Sequence, residues 1–524
     1  MHTPERDEPS GSYWSAVGAA CCPRYAPLTE DIRADVVIVG AGIVGLTAAE
    51  ALAGAGMSVV VLEALRIGEQ ATGRSTAKVS SQHGLAYARL VRDFGEETAR
   101  LYGQANQEAI DHIAGLVARG AIDCGFERKA AYLYADSSDS VRAVQDEASA
   151  AVALGLPASL VDDMPAPVPA TVALRFHQQA QFNPVRYLAG LASIVAHDAR
   201  IHETSRVVEI RRRSDDQGYR VGLAAGPCVE ASDVVVATHL PIVPEGMFYA
   251  RAHPFSHPML AADIDGSRVP DGMFISADAP TRSFRTDSVD GVMRLIAVGS
   301  SFATGDTQAE LACFHELEDF VRRHFGIEVP GWRWTNEDFL SIDGLPFIGP
   351  ATSSADHLHV ATGFGAWGIT NGTVAGRLIA DRILGRANPF EAMFDPSGHT
   401  MRAGGMEFLK RNVGSARHLV GDRIRTQPLD PDELEAGQAA VGKFAGETVA
   451  AWRDPAGALH VVSASCSHMG CIVGWNATDR SWDCPCHGSR FSPDGAVLHG
   501  PATEPLKASG AGRPPEPSGR ESRR

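Results

Sequence analysis

Long hydrophobic runs and an excess of positive charge are both missing from this sequence of 524 residues. The chain opens with the polar stretch MHTPERDEPS, which lacks the apolar centre of a secretory signal peptide, so we expect a cytoplasmic protein. Lysine and arginine number 47 against 63 aspartates and glutamates, which gives a net charge of −16. This acidic balance argues against broad nucleic-acid binding and against attraction to an anionic membrane surface.

Cysteine is scarce and unevenly placed. Four of the nine cysteines fall in one short segment, at Cys466, Cys471, Cys484 and Cys486, and this clustering favours a metal centre over a general disulfide framework. The adjacent pair Cys21 and Cys22 has no role that the pattern reveals. A chain of this length is too long to fold around a single hydrophobic core, so we expect two or three domains.

The stretch 35–63, DVVIVGAGIVGLTAAEALAGAGMSVVVLE, predicts a strand, a glycine turn, a helix and a second strand. Gly40, Gly42 and Gly45 have G-x-G-x-x-G spacing, which suits a tight turn, close approach of a pyrophosphate and close packing of helix on strand. Glu63 ends the second strand, where a carboxylate binds ribose hydroxyls. The alternative is a glycine-rich unit without a ligand, although glycine there costs stability unless it is used. A charged residue and several glycines interrupt this stretch, so we do not expect it to cross a membrane.

Two further loops are rich in glycine and polar residues. The loop GEQATGRSTAKVSSQHG begins at Gly68 and contains hydroxyls, Arg74 and Lys78, which suit a phosphate, although an ordinary polar loop has the same composition. A second glycine-rich turn, TGFGAWGITNG, begins at Thr362 between a short strand and a helix. The dipole of that helix would point at whatever the turn surrounds.

The remaining segments predict a nucleotide domain interrupted by a second domain. Residues 85–127 read as helices, and strands at 207–209 and 234–238 could return to the first sheet. His239 is a candidate base, although the pattern favours a buried structural histidine. Arg285, on a stretch of β character, could hold a carboxylate, and the alternative is a surface arginine.

These observations lead to the following boundaries. We expect an N-terminal arm at 1–30, anchored through Tyr13, Trp14 and Leu28. The nucleotide-binding parts span about 31–84, 180–240 and 335–395, and the substrate parts span about 85–179 and 241–334. A helical connector at 396–425, a small metal domain at 426–508 and a disordered tail at 509–524 follow.

The C-terminal segment contains Cys466-Ser467-His468 and Cys484-Pro485-Cys486-His487. Each motif brings one thiolate and one imidazole to a loop, which suits a [2Fe–2S] cluster with two cysteines on one iron and two histidines on the other. A structural Cys₂His₂ zinc site is the alternative.

CSHMGC and CPCHGS resemble the two loops of Rieske iron–sulfur domains of the disulfide-bearing type, and Gly500-Pro501-Ala502 resembles their covering loop. The resemblance implies that Cys466, His468, Cys484 and His487 bind the cluster and that Cys471 and Cys486 form a disulfide.

Two further positions matter in that resemblance. Ser489 matches a serine that hydrogen-bonds a bridging sulfide. Phe491 stands where high-potential members have tyrosine, so we expect a lower potential than theirs.

The motifs GAGIVG, ATGRSTAK, VVVAT, SIDGLPFIGP and ATGFGAWGIT resemble the FAD-dependent oxidoreductases of the D-amino-acid oxidase and sarcosine oxidase group. The resemblance implies FAD binding by Gly40, Gly42, Gly45, Glu63, Gly73, Arg74, Ser75, Val207, Gly363, Gly365, Gly368, Ile369 and Thr370, and it places Trp367 beside the isoalloxazine ring. The catalytic candidates are Trp367, His239 and Arg285. The group's substrate-binding tyrosine and arginine pair has no equivalent that we recognise. His83 lies where related enzymes attach flavin covalently, but the surrounding motif differs, so we expect noncovalent FAD.

The expected fold is therefore α/β, with a Rossmann-type FAD domain, an inserted α+β substrate domain and a C-terminal all-β Rieske domain. The expected activity is oxidation of a C–N bond in a small amine or amino acid, with electrons passing to the cluster and on to an external acceptor. One alternative is an electron carrier that a partner reductase reduces; another is a redox sensor. The sequence leaves open the substrate, the acceptor, the direction of electron flow and the oligomeric state.

Overall fold

The computed structural model describes residues 11–214, 217–398 and 427–509. The chain forms two compact units: Met1–Phe302 with Gln308–Phe408, and Ala303–Thr307 with Leu409–Arg524. The predicted connector at 396–425 and the predicted tail at 509–524 lie outside the described residues, apart from 396–398 and 509. No helix among the described residues is both long enough and apolar enough to cross a bilayer.

The helices, numbered in chain order, are α1 (Tyr13–Gly18), α2 (Ile43–Gly54), α3 (Ala71–Arg74), α4 (Tyr87–Phe94), α5 (Glu96–Gly120), α6 (Ser138–Ala153), α7 (Pro184–Val195), α8 (Phe248–Arg251), α9 (Thr307–Phe325), α10 (Gly368–Ile383) and α11 (Glu391–Phe394). The strands are β1 (Ile32–Val39), β2 (Val59–Leu62), β3 (Lys78–Val79), β4 (Glu127–Ala135), β5 (Ala158–Val161), β6 (Val172–Gln181), β7 (Arg200–His202), β8 (Val207–Arg212), β9 (Tyr219–Leu223), β10 (Cys228–Val236), β11 (Ala252–Asp263), β12 (Met273–Ser276), β13 (Ser283–Val289), β14 (Val292–Val298), β15 (Trp332–Ser341), β16 (Phe347–Pro350), β17 (Leu358–Thr362), β18 (Ala439–Phe444), β19 (Glu447–Arg453), β20 (Leu459–Ser463), β21 (Gly474–Asn476), β22 (Ser481–Asp483), β23 (Arg490–Phe491) and β24 (Val497–His499).

The first sheet of the large unit has the order β16-β17-β10-β1-β2-β7, with β9 beside β10 and β8 beside β9. Strands β1, β2, β7, β10 and β17 pair in parallel. All four residues of β2 and the last four of β1 are buried, as expected for parallel strands covered on both faces. The predicted return of the chain to this sheet at residues 207–209 and 234–238 is present as β8 and the end of β10.

The second sheet has the order β15-β11-β14-β13-β12-β4-β6-β3, with β5 beside β6. Its pairs are antiparallel except for β12 with β4. The sequence places residues 78–79, 180–181 and 335–341 in the nucleotide part, whereas here β3 pairs with β6 and β15 pairs with β11. The long ladder between β15 and β11 holds residues 332–341 in this sheet.

Within the predicted arm, residues 11–30 are more firmly integrated than a surface segment. Helix α1 lies within the predicted arm, and its Tyr13 and Trp14 side chains are fully buried. Leu28 is also buried, in the core that covers one face of the first sheet. Residues 11–30 therefore contribute to the core of the large unit.

Residues 427–509 of the small unit form seven β-strands and one short 3-10 turn, Pro431–Glu433, which fits the predicted all-β domain. A three-stranded sheet has the order β18-β19-β20, and a four-stranded sheet has the order β21-β22-β23-β24. Trp475, Trp482 and Phe491 pack with the four clustered cysteines, the two predicted cluster ligands and the two predicted disulfide partners, in one buried core.

Helices α2 and α10 approach each other at glycines. A Cβ atom on Gly376 would lie 2.7 Å from the Val44 carbonyl oxygen and 2.9 Å from the Ala48 amide nitrogen. By contrast, a Cβ atom on Gly54, at the end of α2, would meet nothing within 4 Å. The backbone of α2 thus leaves no room for a side chain on Gly376 at the crossing, whereas the end of α2 has ample room for one on Gly54.

We expect Gly376→Ala to lower the stability of the large unit by roughly 1–3 kcal/mol, because the methyl group meets backbone atoms that cannot move aside. The matched control is Gly54→Ala, which should leave stability unchanged or raise it by up to about 1 kcal/mol. Thermal unfolding of the two variants measures both effects. Equal melting temperatures for the two variants would contradict this account of the crossing.

Candidate functional site

The glycine turn between β1 and α2 has the geometry of a nucleotide-binding turn. Gly40 has φ = +107°, and a Cβ atom there would lie 2.5 Å from the Ala237 carbonyl oxygen. A Cβ atom on Gly45 would lie 1.9 Å from the Gly40 carbonyl oxygen. A Cβ atom on Gly42 would have the Thr72 hydroxyl oxygen as its nearest neighbour, at 3.4 Å. The turn is therefore closed on its protein side, and the backbone at Gly42 is open to a ligand.

Thr72 is a contact of this turn that the sequence did not reveal. Its hydroxyl oxygen accepts a hydrogen bond from the Ile43 amide, the first residue of α2, at 3.3 Å. The loop after β2 therefore reaches the beginning of α2, where the helix dipole and free N–H groups favour an anion.

Glu63 follows β2 directly, and its carboxylate is held by backbone amides. One oxygen accepts a hydrogen bond from Ala41 and the other from Leu65, both at 2.9 Å. Burial raises the pKa of this carboxyl group. Each oxygen keeps a second lone pair, so the carboxylate suits the ribose hydroxyls of a dinucleotide.

The loop that begins at Gly68 packs tightly against its own backbone. A Cβ atom on Gly73 would lie 1.7 Å from the Gly68 carbonyl oxygen. The Arg74 Nε donates to the Thr335 carbonyl oxygen at 3.0 Å, and the Ser75 hydroxyl donates to the Thr72 carbonyl oxygen at 2.9 Å. The predicted FAD contacts of Gly73, Arg74 and Ser75 stay predictions, as does that of Val207, which is buried at the start of β8.

The second glycine turn lies against the end of the first polar loop. Gly363, Gly365 and Ala366 have φ values of +78°, +59° and +71°. Helix α10 then begins at Gly368, with Ile369 and Thr370 buried. The Thr370 hydroxyl donates to the Ser80 carbonyl oxygen at 3.0 Å. The two predicted flavin loops are thereby brought together.

His83 and Trp367 form a stacked pair where these loops meet. Their ring centroids lie 4.6 Å apart with an interplanar angle of 21°. The Nδ1 atom of His83 lies 2.7 Å from the Tyr102 hydroxyl, and Nε2 lies 2.7 Å from the Ser80 carbonyl oxygen. Burial lowers the pKa of His83 to about 3. The imidazole is therefore neutral at pH 7, with Nε2 donating to the carbonyl and Nδ1 accepting from the tyrosine.

Asp338, which the sequence did not single out, connects His239 to the second glycine turn. One carboxylate oxygen accepts from the Ala366 amide at 2.8 Å. The other accepts from the Phe339 amide at 2.6 Å and lies 3.3 Å from His239 Nε2. The predicted role of His239 as a base stays a prediction, and its imidazole has a carboxylate neighbour.

Arg285 is fully buried, and its guanidinium faces backbone. It donates to the carbonyl oxygens of Thr76, Phe182 and Thr286 at 2.6, 2.7 and 3.1 Å. Burial lowers its pKa to about 10, so the group stays cationic at pH 7. These contacts favour a structural role over the predicted catalytic one. Charge and position alone could not distinguish backbone partners from a substrate carboxylate.

The small unit brings the predicted cluster cysteines together. Cys466 and Cys484 are buried, and a hydrogen bond between their sulfurs lowers the pKa of Cys466 to about 7 while it raises that of Cys484. Two adjacent sulfurs of this kind suit one iron of a cluster. The Ser489 hydroxyl also hydrogen-bonds the Cys466 sulfur and accepts from the Ala502 amide at 3.0 Å.

The predicted histidine ligands form the second half of this site. The ring centroids of His468 and His487 lie 5.0 Å apart with an interplanar angle of 90°. Burial lowers the pKa of His468, which favours the neutral imidazole that metal binding requires.

The predicted disulfide is present between Cys471 and Cys486, with Cα atoms 6.5 Å apart. It joins the loop of Cys466 to the loop of Cys484. The sulfurs of Cys471, Cys484 and Cys486 lie within 4.8 Å of one another, but two of them are oxidised to the disulfide and offer no thiolate to a metal. This pairing fits a Rieske site and leaves the zinc alternative without a role for the second cysteine pair.

Comparison with known proteins agrees with both sites. The family model described as FAD dependent oxidoreductase (DAO) matches residues 35–382, and that of the Rieske [2Fe-2S] domain matches residues 427–509. The chain is 34% identical over 497 residues to the Bacillus subtilis protein "Putative Rieske 2Fe-2S iron-sulfur protein YhfW", across 95% of this chain and 97% of the relative. It is 26% identical over 441 residues to gamma-glutamylputrescine oxidoreductase of Escherichia coli, across 80% and 99%.

Glycine oxidase from Geobacillus kaustophilus has a similar fold, with a TM-score of 0.58 and 20% identity over 70% of this chain and 99% of that one. The fold prediction is thus confirmed for both units. The chain belongs to the FAD dependent oxidoreductase family, binds FAD, and carries in addition a Rieske domain that binds a [2Fe–2S] cluster.

Proposed function

We propose that this enzyme oxidises a C–N bond of a small amine or amino acid and delivers the electrons through its Rieske cluster to an external acceptor. One observation carries the proposal: a flavin domain of the amine and amino-acid oxidase type and a Rieske domain lie in one chain. A relative that matches across nearly its whole length bears the Rieske name as well. The substrate class is supported by relatives named for γ-glutamylputrescine and glycine.

The two cofactors explain why such a pairing is useful. When bound, FAD takes up two electrons as a hydride from a C–H bond beside nitrogen, and a Rieske cluster carries one electron at a time. The chain's contribution on the flavin side is placement: the open backbone at Gly42 and the carboxylate of Glu63 suit the ADP part, and the turn at Gly363–Gly368 suits the ring.

Proton handling near the predicted ring site requires little from the protein. His83 is neutral over the physiological range because its pKa lies at about 3, and both of its nitrogens have hydrogen-bonding partners. Its ring supports Trp367, which makes Trp367 a candidate wall of the substrate site. An amine that binds in its neutral form needs no strong base, and His239, beside the Asp338 carboxylate, is the candidate proton acceptor.

Anaerobic titration with small amines tests the proposal. We expect that glycine, γ-glutamylputrescine or another amine of this class bleaches the visible absorption of the flavin, and that the cluster absorption changes afterwards. Stopped-flow absorbance separates the two phases.

The matched control is Cys466→Ser, which removes a cluster ligand. Flavin bleaching should persist in this variant, while the cluster phase disappears and reduction of a one-electron acceptor falls. If no amine bleaches the flavin but a reductase does, the protein is the electron carrier considered above. Bleaching without any cluster change would contradict electron delivery through the Rieske domain.

We also propose that FAD is held noncovalently. A covalent link through His83 needs a free ring nitrogen, whereas Nδ1 faces Tyr102 and Nε2 faces Ser80. Acid precipitation should therefore release all of the flavin into the supernatant as FAD. Yellow colour that stays with the washed precipitate would contradict this.

Replacement of Phe491 by tyrosine should raise the potential of the cluster. Phe491 is fully buried in the core that contains Cys466 and Cys484, and a hydroxyl there could donate to a cysteine sulfur. A hydrogen bond to an anionic acceptor contributes roughly 1.5–3 kcal/mol. The potential depends only on the difference in this hydrogen-bond energy between the oxidised and the reduced cluster. We therefore expect the cluster potential to rise on the order of 50 mV.

A redox titration followed by electron paramagnetic resonance measures this potential. Phe444→Tyr, on the half-buried strand β18 outside that core, is the matched control and should leave the potential unchanged. Equal potentials for Phe491→Tyr and the native protein would show that the hydroxyl does not reach a cluster ligand.

A further inference from the structure

Four consecutive carbonyl groups in the loop after β2 accept hydrogen bonds from side chains that are distant in sequence. The pairs are Ser12 Oγ to Gly73 O at 2.7 Å, Trp334 Nε1 to Arg74 O at 2.8 Å, Trp14 Nε1 to Ser75 O at 2.7 Å, and Arg285 Nε to Thr76 O at 2.6 Å. Two of the four donors, Ser12 and Trp14, come from the first residues that the structure describes.

These donors are rigid and buried. Trp14, Trp334 and Arg285 are fully buried, and Ser12 is 1% exposed. The Arg285 guanidinium carbon lies 4.7 Å from the centroid of the Trp14 ring, so the cation also packs on the indole. Gly73 and Arg74 end the short helix α3, whose last carbonyls have no partner within the helix, and the side chains satisfy these two carbonyls and the two that follow.

The hydrogen bonds determine which way the peptide groups face. In a trans peptide the N–H points opposite to the C=O, so the amides of residues 74–77 face away from these donors. Ser75 N–H and Ala77 N–H close the turn through Thr72 O and Ser75 Oγ. Thr72, at the start of the same turn, contacts Ile43 of α2. The loop thus lies between α1 on one side and the pyrophosphate-binding turn on the other.

We propose that the N-terminal segment Ser12–Trp14 is part of the FAD site: Ser12 and Trp14 are positioning residues that hold the peptide groups of residues 73–76 in the orientation that binds FAD. The proposal rests on the assignment of Gly73, Arg74 and Ser75 to the cofactor. It also gives the buried Arg285 a function, as the donor to the last of the four carbonyls.

Substitution of Trp14 by phenylalanine tests the proposal, because it keeps the ring and removes the N–H donor. We expect FAD to leave the holoenzyme roughly fivefold to tenfold faster, measured as the rise of free-flavin fluorescence after dilution. The visible circular dichroism of the remaining bound flavin should change as well, which a loss of stability alone would not cause.

The matched control is Tyr13→Phe. Tyr13 is equally buried in α1, but its hydroxyl donates to Asp287 at 2.9 Å and not to the loop. At saturating FAD, Tyr13→Phe should have the same melting temperature as Trp14→Phe. Its rate of FAD release and its visible circular dichroism should be those of the native protein. Ser12→Ala, a smaller change, should accelerate release in the same direction and decides the matter if Trp14→Phe does not fold.

The outcomes separate this proposal from the proposed function. FAD release at the native rate in both Trp14→Phe and Ser12→Ala would overturn the positioning role, and so would equal acceleration by Tyr13→Phe. Failure of amines to reduce the flavin would refute the proposed activity and leave the release rates unaffected. Native protein purified without FAD would refute the cofactor assignment on which both depend.

Discussion

The flavin domain depends on places where two backbone segments touch directly because a glycine leaves no side chain between them. A Cβ atom on Gly45 would lie 1.9 Å from the Gly40 oxygen, and one on Gly73 would lie 1.7 Å from the Gly68 oxygen. Both contacts lie where a helix begins beside the nucleotide turn. Because the protein side of each turn is closed in this way, the polar groups of the turn face the ligand side. Gly376 likewise allows direct contact with the backbone of α2 where α10 crosses that helix.

The parts of the molecule that follow from short motifs could be predicted from sequence. The glycine turn with Glu63 is local, since the strand, turn, helix and acid together span 29 residues. The same holds for the Rieske loops, in which ligand and disulfide cysteines occupy two short segments. In both cases the chemistry requires fixed residue types at fixed spacings. The sequence pattern is therefore enough to predict the local structure.

Contacts between distant segments could not be predicted in this way. Asp338 binds Ala366 and faces His239, and no spacing in the sequence connects these residues. Arg285 shows the same limit, because a cation on an alternating strand has the same pattern whether it faces a substrate or backbone carbonyls. Helix α1 is another case: its six residues show no helical period long enough to read, and its burial depends on surfaces formed by residues far along the chain.

The disulfide of the small unit has a consequence for its lifetime. Cys471 is 3% exposed and Cys486 is 1% exposed, so an attacking thiolate has no direct access to either sulfur. Reduction then requires that the two loops first open, and its rate follows the free energy of that local opening. A bound cluster holds the same two loops through Cys466 and Cys484, and its binding energy adds to the energy of opening. The iron therefore shields the crosslink from cellular reductants, and the crosslink in turn retains the iron.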